Sequence, residues 1–206
     1  MNRTKLALIL SISLVVSACV TLNKSECKNA DWKIIGLEDG LRGRTTTYIG
    51  NHRKACAEHG VTPDLDSYQA GYADGLTQFC TAEVGFSRGK SGYQYNGVCP
   101  VDLRSDFLYG YERGRELYLL NREITQINRY VKNTRDQLKE INAQVNELEL
   151  KLISKAGSPE TRLAMLQELR ELQTTLTTME NDIHDLELES ARRQGEYDTL
   201  NAQYAF

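Results

Sequence analysis

The sequence has little of what builds membrane spans, metal sites or catalytic centres. After residue 18, no stretch approaches the roughly 18 uncharged residues that a membrane helix needs. There is no C-x-x-C pair and no Ser/His/Asp or Cys/His arrangement. We therefore expect no metal, no cofactor, no catalytic residues and no enzymatic activity. The formal net charge is −3, and it falls to −5 if Arg3 and Lys5 are removed with residues 1–18, so nucleic acid is not an expected partner.

The N-terminus has the features of a secretory signal. Arg3 and Lys5 precede an almost uncharged segment, residues 6–16, that is too short to cross a bilayer. The following Ser17-Ala18-Cys19 resembles the lipobox of bacterial lipoproteins, in which the chain is cut before the cysteine and Cys19 carries the lipid, with palmitate. A plain secretory signal would leave Cys19 as an ordinary thiol. Because Val20 is not aspartate, the resemblance implies the outer membrane, facing the periplasm, with residues 19–30 as a lipidated tether.

Four further cysteines remain in the mature chain, and their even number in an oxidising compartment predicts two disulfides. Three pairings are possible. We favour Cys27–Cys56 and Cys80–Cys99, because each closes one local loop. A zinc site is the alternative, without a C-x-x-C pair to support it.

Composition changes sharply near residue 115, which predicts a disulfide-bonded helical domain at 31–115 and a long helical region at 116–206. Thirteen of the fifteen glycines lie between Gly36 and Gly114. Helices are expected over about 32–43, 48–59 and 64–81, followed by a glycine-rich segment, 82–99, that we expect to be largely loop with a small hairpin at 95–98. Glycines four residues apart recur in this domain and predict close packing of short helices.

The second region follows a heptad pattern. One series of apolar positions runs from Leu117 to Leu152 and a second from Met165 to Tyr204, and a turn near 155–159 separates them. Ser158-Pro159 supplies a helix cap and a proline at the first helical position. We predict an antiparallel coiled-coil hairpin in which residue numbers of opposite positions sum to about 315. Pairing of two open helices from different chains is the alternative, so an oligomer is possible.

Four residues of the glycine-rich segment are candidate ligand contacts. Tyr93 and Tyr95 could stack on a glycan, with Arg88 and Lys90 nearby for an anionic group, although aromatic packing in a small core is the more common use. The spacing around Lys90 is one residue short of a phosphate-binding loop, which excludes nucleotide binding. We expect His52 and His59 to be surface histidines, and Glu38, Asp39 and Asp74 to lie on exposed helix faces.

An ordered set of motifs resembles an uncharacterised family of bacterial lipoproteins classed as a domain of unknown function. The motifs are Trp32-x-x-x-Gly36-x-x-Asp39-Gly40, His52-x-x-x-Cys56, Tyr68-x-x-Gly71-x-x-x-Gly75-Leu76-x-x-Phe79-Cys80, Gly97-Val98-Cys99-Pro100 and Tyr111-x-x-Gly114. The resemblance covers about residues 27–118. It implies a lipoprotein location and supplies no activity.

These patterns predict a mainly α protein, anchored to the membrane through its N-terminal lipid. We expect a structural, scaffold or protein-interaction role in the cell envelope, with the coiled-coil arm contacting a protein partner. The alternative is a cell-wall glycan-binding module that uses the Tyr93/Tyr95 loop.

Overall fold

The structure is a computed structural model that describes residues 22–154 and 157–204. The predicted signal, Cys19 and Val20 lie outside the described residues, as does Ala156. Seven α-helices and one 3₁₀ helix occur in the described part of the chain, and no strand occurs there. The helices are α1 (Lys24–Lys28), α2 (Trp32–Leu41), the 3₁₀ helix (Thr46–Tyr48), α3 (Ile49–Ala57), α4 (Leu65–Phe79), α5 (Ala82–Lys90), α6 (Val101–Ile153) and α7 (Pro159–Gln203).

The chain divides into two compact units between Gln78 and Phe79. The composition change near residue 115 lies inside α6, which is continuous from Val101 to Ile153. The expected tether contains α1, whose N-terminus is closed by a capping box between Asn23 and Glu26.

In the first unit, α2 and α4 pack with their backbones in contact. A Cβ on Gly36 would overlap the Tyr68 carbonyl, and one on Gly71 would overlap the Lys33 carbonyl. Only glycine allows such an approach, which explains why two helices tolerate residues that lower their intrinsic helix propensity. Asp31 caps α2 by accepting hydrogen bonds from the backbone N–H groups of Lys33 and Ile34, as its position predicts.

The disulfide Cys27–Cys56 joins α1 to α3, and Cys80–Cys99 closes the loop that contains α5. The bonds have the predicted pairing. All four cysteines are almost fully buried. Each disulfide lowers the conformational entropy of the unfolded chain and thereby contributes about 3 kcal/mol to the free energy of unfolding.

The second unit repeats the glycine-based packing with α5 and α6. Gly85 lies against the Phe107 carbonyl and Gly110 against the Ala82 carbonyl, both too close for a Cβ. The prediction that residues 82–99 form largely loop is therefore wrong for its first half, because packing against α6 stabilises a glycine-rich helix. The expected hairpin at 95–98 is also wrong: Gly97 has a positive φ of 71°, but residues 91–100 contain no strand.

The α2–α4 pair and the α5–α6 pair each contain an equivalent hydrogen bond from a tyrosine hydroxyl. The Tyr72 hydroxyl donates to the Arg44 carbonyl at 2.7 Å, and the Tyr111 hydroxyl donates to the Tyr93 carbonyl at 2.8 Å. Tyr72 directly follows Gly71 in α4, and Tyr111 directly follows Gly110 in α6. The accepting carbonyls are also equivalent, because Arg44 is four residues after Gly40 and Tyr93 is four residues after Gly89. The weak repeat seen in the sequence is thus a repeated packing arrangement, with Gly85 and Gly89 as the part that sequence reasoning missed.

Helices α6 and α7 form the antiparallel arm. Every predicted seam position between Leu117 and Leu152, and between Met165 and Tyr204, is buried or half-buried. Four contacts cross between the helices: Asn128–Ser190 at 2.8 Å, Arg135–Glu187, Glu123–Arg193 at 3.6 Å and Glu116–Tyr204 at 2.7 Å. Their residue numbers sum to between 316 and 322, and the predicted sum is about 315. Several registers satisfy a heptad pattern, and these polar contacts select one displaced from the predicted register.

The turn between the arm helices has the predicted chemistry. Gly157 has a φ of 85°, a conformation that glycine adopts without steric cost. The Ser158 hydroxyl accepts a hydrogen bond from the Thr161 backbone N–H, and Pro159 is the first residue of α7. Helix α6, by contrast, begins after Pro100 and has no side-chain cap.

Candidate functional site

Three buried polar side chains meet at one oxygen atom in the first unit. Asp39 Oδ2 lies 2.8 Å from His52 Nε2 and accepts a hydrogen bond from the Tyr68 hydroxyl at 2.9 Å. Asp39 lies in α2, His52 in α3 and Tyr68 in α4, so a single carboxylate oxygen links three helices. The side chains of Asp39 and His52 are 3% and 8% exposed. With Nε2 protonated, the imidazole and the phenol both donate to the carboxylate.

The surroundings of this cluster keep Tyr68 protonated. Burial removes water from the phenol, and the negative charge of Asp39 further disfavours a phenolate, so the pKa of Tyr68 is raised above its ordinary value near 10. The Tyr48 ring meets the His52 ring edge-on, with 5.4 Å between centroids, and the Arg44 guanidinium lies 4.4 Å from the Tyr48 ring centroid. The Tyr48 ring thus packs against the buried histidine, and the Arg44 guanidinium packs against the Tyr48 ring.

The expectation that Asp39 and His52 are surface residues is wrong. Asp39 is three residues after Gly36, so it lies near the helix face on which Gly36 packs. His52 is four residues before the disulfide-bonded Cys56 and shares its buried face. Both signals were present in the sequence. His59 is half-exposed, while Glu38 and Asp74 form exposed ion pairs with Arg42 and Lys33.

A cleft of about 460 Å³ is lined in part by α3. Its lining includes Thr47 from the 3₁₀ helix, Ile49, Gly50 and Arg53 from α3, and Pro63 and Leu65 at the start of α4. The size falls within the range of small-molecule sites in proteins. Helix α3 therefore contributes His52 to the polar cluster, and Ile49, Gly50 and Arg53 to a concave, mostly apolar surface.

One family matches the chain, and it covers the cluster, the cleft and both glycine-packed helix pairs. Residues 31–116 match the family described as "Protein of unknown function (DUF2799)". The resemblance expected from the motifs is confirmed over this range. No curated protein and no solved structure matches the chain. Because the DUF2799 match ends at residue 116, most of the coiled-coil arm lies beyond it.

Tyr93 and Tyr95, which lie within the DUF2799 region, pack against aromatic rings of the second unit. Tyr95 lies 4.7 Å from the Phe107 ring centroid, and its hydroxyl accepts a hydrogen bond from the Cys99 backbone N–H at 3.0 Å. Tyr93 lies edge-on to Phe79 at 6.4 Å. The rings that could have stacked on a glycan thus contribute to the packing of the domain.

The two basic candidates lie on helix α5 rather than on a loop. The Arg88 guanidinium lies 5.3 Å from the Tyr93 ring centroid and 5.6 Å from that of Phe79. Lys90 Nζ donates to Asn201 Oδ1 at 2.6 Å, joining α5 to the C-terminal part of α7. Arg88 therefore stays beside the tyrosine loop, and Lys90 is directed to the base of the arm.

The described residues contain neither a candidate metal site nor a candidate membrane span. No group of three or more His, Cys, Asp or Glu side chains there could hold a metal ion. No helix in the same ranges is both long enough and apolar enough to span a membrane.

Proposed function

We propose that this is a lipid-anchored protein of the bacterial cell envelope that binds a protein partner through its coiled-coil arm. The anchor is inferred from the lipobox-like Ser17-Ala18-Cys19, which would place the mature chain at the outer membrane, facing the periplasm. The observation that carries the proposal is the arm itself. Helices α6 and α7 contain 53 and 45 residues, so within the second unit the arm extends far beyond the contact between α5 and α6.

The polar contacts along the seam make the arm specific in register. Ser190 is buried in the seam and bonds Asn128, while Arg193 pairs with Glu123 across the helices and with Glu189 and Glu196 on α7. A buried polar group in a coiled coil lowers stability but selects one register. A defined register fixes which residues reach the distal end, as an interaction arm requires.

The distal end of the arm exposes large aliphatic side chains outside the seam. Leu150 is 68% exposed and Ile153 77% exposed near the end of α6, and Leu163 is 60% exposed near the start of α7. Exposed aliphatic residues grouped at one end of a molecule are typical of an interaction surface. We propose that they enter an apolar recess of the partner protein.

The experiment is photocrosslinking in intact cells from position 153. We expect a discrete adduct, identified by mass spectrometry, that is weakened when Leu163 is changed to Ser. A crosslinker at Gln137, an exposed polar position midway along α6, is the control. Equal adducts from both positions, or none from position 153, would contradict a role for the distal end.

The anchor has its own test. Cys19→Ser should abolish fatty-acid labelling and release the protein from the membrane fraction, whereas labelling that persists would refute lipidation at Cys19. A mature chain that sediments with purified cell wall, and loses this property on Tyr95→Ala, would favour the glycan-binding alternative.

A further inference from the structure

Gly50 is the second residue of α3, and a Cβ built on it would stand in open space. Gly36, Gly40, Gly71 and Gly75 each have neighbouring backbone atoms where a Cβ would stand, but no atom lies within 4 Å of a Cβ built on Gly50. Its φ is not among the positive values, so the backbone conformation does not require glycine either. Glycine is a poorer helix former than alanine, and at Gly50 neither the packing of the chain nor the backbone conformation gives a reason for it.

The open space at Gly50 coincides with the cleft beside α3. Gly195 in α7 also has open surroundings, so openness alone does not identify a site. Gly50 differs because it lines a concave surface of about 460 Å³. A side chain at this position would project into that volume, so glycine keeps the cleft open.

The lining of the cleft indicates the chemistry of its occupant. Ile49, Pro63 and Leu65 give it apolar walls, and Leu65 is 49% exposed. Arg53 is the cation of the lining, no lining residue is acidic, and no ion pair joins Arg53 to a carboxylate of the described residues. An apolar surface with a single guanidinium complements a molecule that has an apolar body and one negative charge.

Two bonds fix the α3 wall of the cleft in place. His52 bonds the buried Asp39, and Cys56 is disulfide-bonded to Cys27. A wall that is fixed before binding loses little conformational freedom when a ligand enters.

We propose that this cleft binds a fatty acid, with the alkyl chain along Ile49, Pro63 and Leu65 and the carboxylate on Arg53. A guanidinium donates two parallel hydrogen bonds to a carboxylate, and the single cation matches its single charge. The site is independent of the arm and of its protein partner.

The test uses the full mature chain with Cys19→Ser, purified without lipid, and dodecanoate as the probe in calorimetric titration. We expect saturable binding with one site per chain. Arg53→Gln should weaken dodecanoate binding about tenfold or more, because it removes a charge-assisted hydrogen bond. Lys54→Gln, which removes the neighbouring cation that does not line the cleft, should leave binding unchanged. Dodecanol should bind the parent chain and the Arg53 variant equally.

Filling the cleft provides the second arm of the experiment. Gly50→Leu should abolish binding while thermal unfolding shows a folded protein, because leucine favours helix and its Cβ has no atom of the chain within 4 Å. Gly195→Leu is the matched control and should bind as the parent does. Absence of saturable binding, unchanged binding in the Gly50 or Arg53 variant, or tighter binding of dodecyl phosphate than of dodecanoate would each overturn the proposal.

Discussion

The Tyr68 hydroxyl donates to Asp39 Oδ2 at 2.9 Å, inside a cluster that is closed to solvent. Phe107 of the second unit occupies the equivalent position, because it lies three residues before Gly110 as Tyr68 lies three residues before Gly71. The packing of two glycine-bearing helices therefore accepts either a phenol or a plain ring. What the phenol adds is a dependence on pH.

Tyr68→Phe should remove a loss of stability at alkaline pH. The pKa of Tyr68 is raised in the folded protein by burial and by the Asp39 charge. Stability from this group is complete below the unfolded tyrosine's pKa of about 10 and is lost as pH rises above it, because only the unfolded chain ionises readily. Urea denaturation at neutral and alkaline pH should show a smaller pH effect in the variant than in the parent. Tyr109→Phe, at an exposed tyrosine, is the control.

Gly71→Ala should destabilise the first unit by about 2–3 kcal/mol, because the added methyl overlaps the Lys33 carbonyl and the helices must separate. Gly50→Ala, in a neighbouring helix, should instead raise the free energy of unfolding by up to about 1 kcal/mol. Thermal unfolding of both variants measures the opposite signs. Equal effects would show that helix propensity, rather than backbone contact, explains the glycines.

Helix propensity and the heptad pattern account for what could be predicted from the sequence, and contact between distant segments accounts for what could not. The seam of the arm was predicted position by position, since a repeat of seven residues is a local signal. Helix α5 was missed because its glycines disfavour a helix until Gly110 and Gly114 pack against them. The pairing of Asp39 with His52 was missed because no local pattern joins residues on different helices.

Leu138→Asp should unfold much of the arm. Leu138 is a half-buried seam residue, and a carboxylate there loses packing and hydration together, at a cost of about 2–4 kcal/mol. Far-UV circular dichroism should show loss of helix on mild heating, while Gln137→Asp, one position away and exposed, should behave as the parent. An unchanged thermal transition for Leu138→Asp would contradict the hairpin.

Replacing both Asn128 and Ser190 with leucine should stabilise the arm and loosen its register. Ser190 is buried in the seam, and its hydroxyl donates a hydrogen bond to Asn128 Oδ1. Spin labels at Asn133 and Leu188 should give one narrow distance in the parent. In the double variant the thermal midpoint should rise and the distance distribution should broaden. A narrow distribution in both proteins would assign the register to other contacts.

Glu189 should titrate far below an ordinary glutamate. Hydrogen bonds from Arg192 and Arg193 lower its pKa to about 2. The stability contributed by this group is present above the unfolded glutamate's pKa and is lost as pH falls through about 2. Carboxyl-carbon NMR titration at low salt should give the lowered value, and Arg192→Gln should raise it. A normal titration in the parent would show that these exposed pairs are not formed in solution.

The continuity of α6 makes the second unit mechanically stiff from end to end. The same helix holds Gly110 and Gly114 against α5 and extends without interruption to Ile153, over about 80 Å. A lateral force at the distal end therefore produces a torque at the α5 contact, where backbones already touch and no side chain can yield. Tension on a captured partner would be transmitted to this joint, and resistance to bending would depend on residues far from the point of attachment.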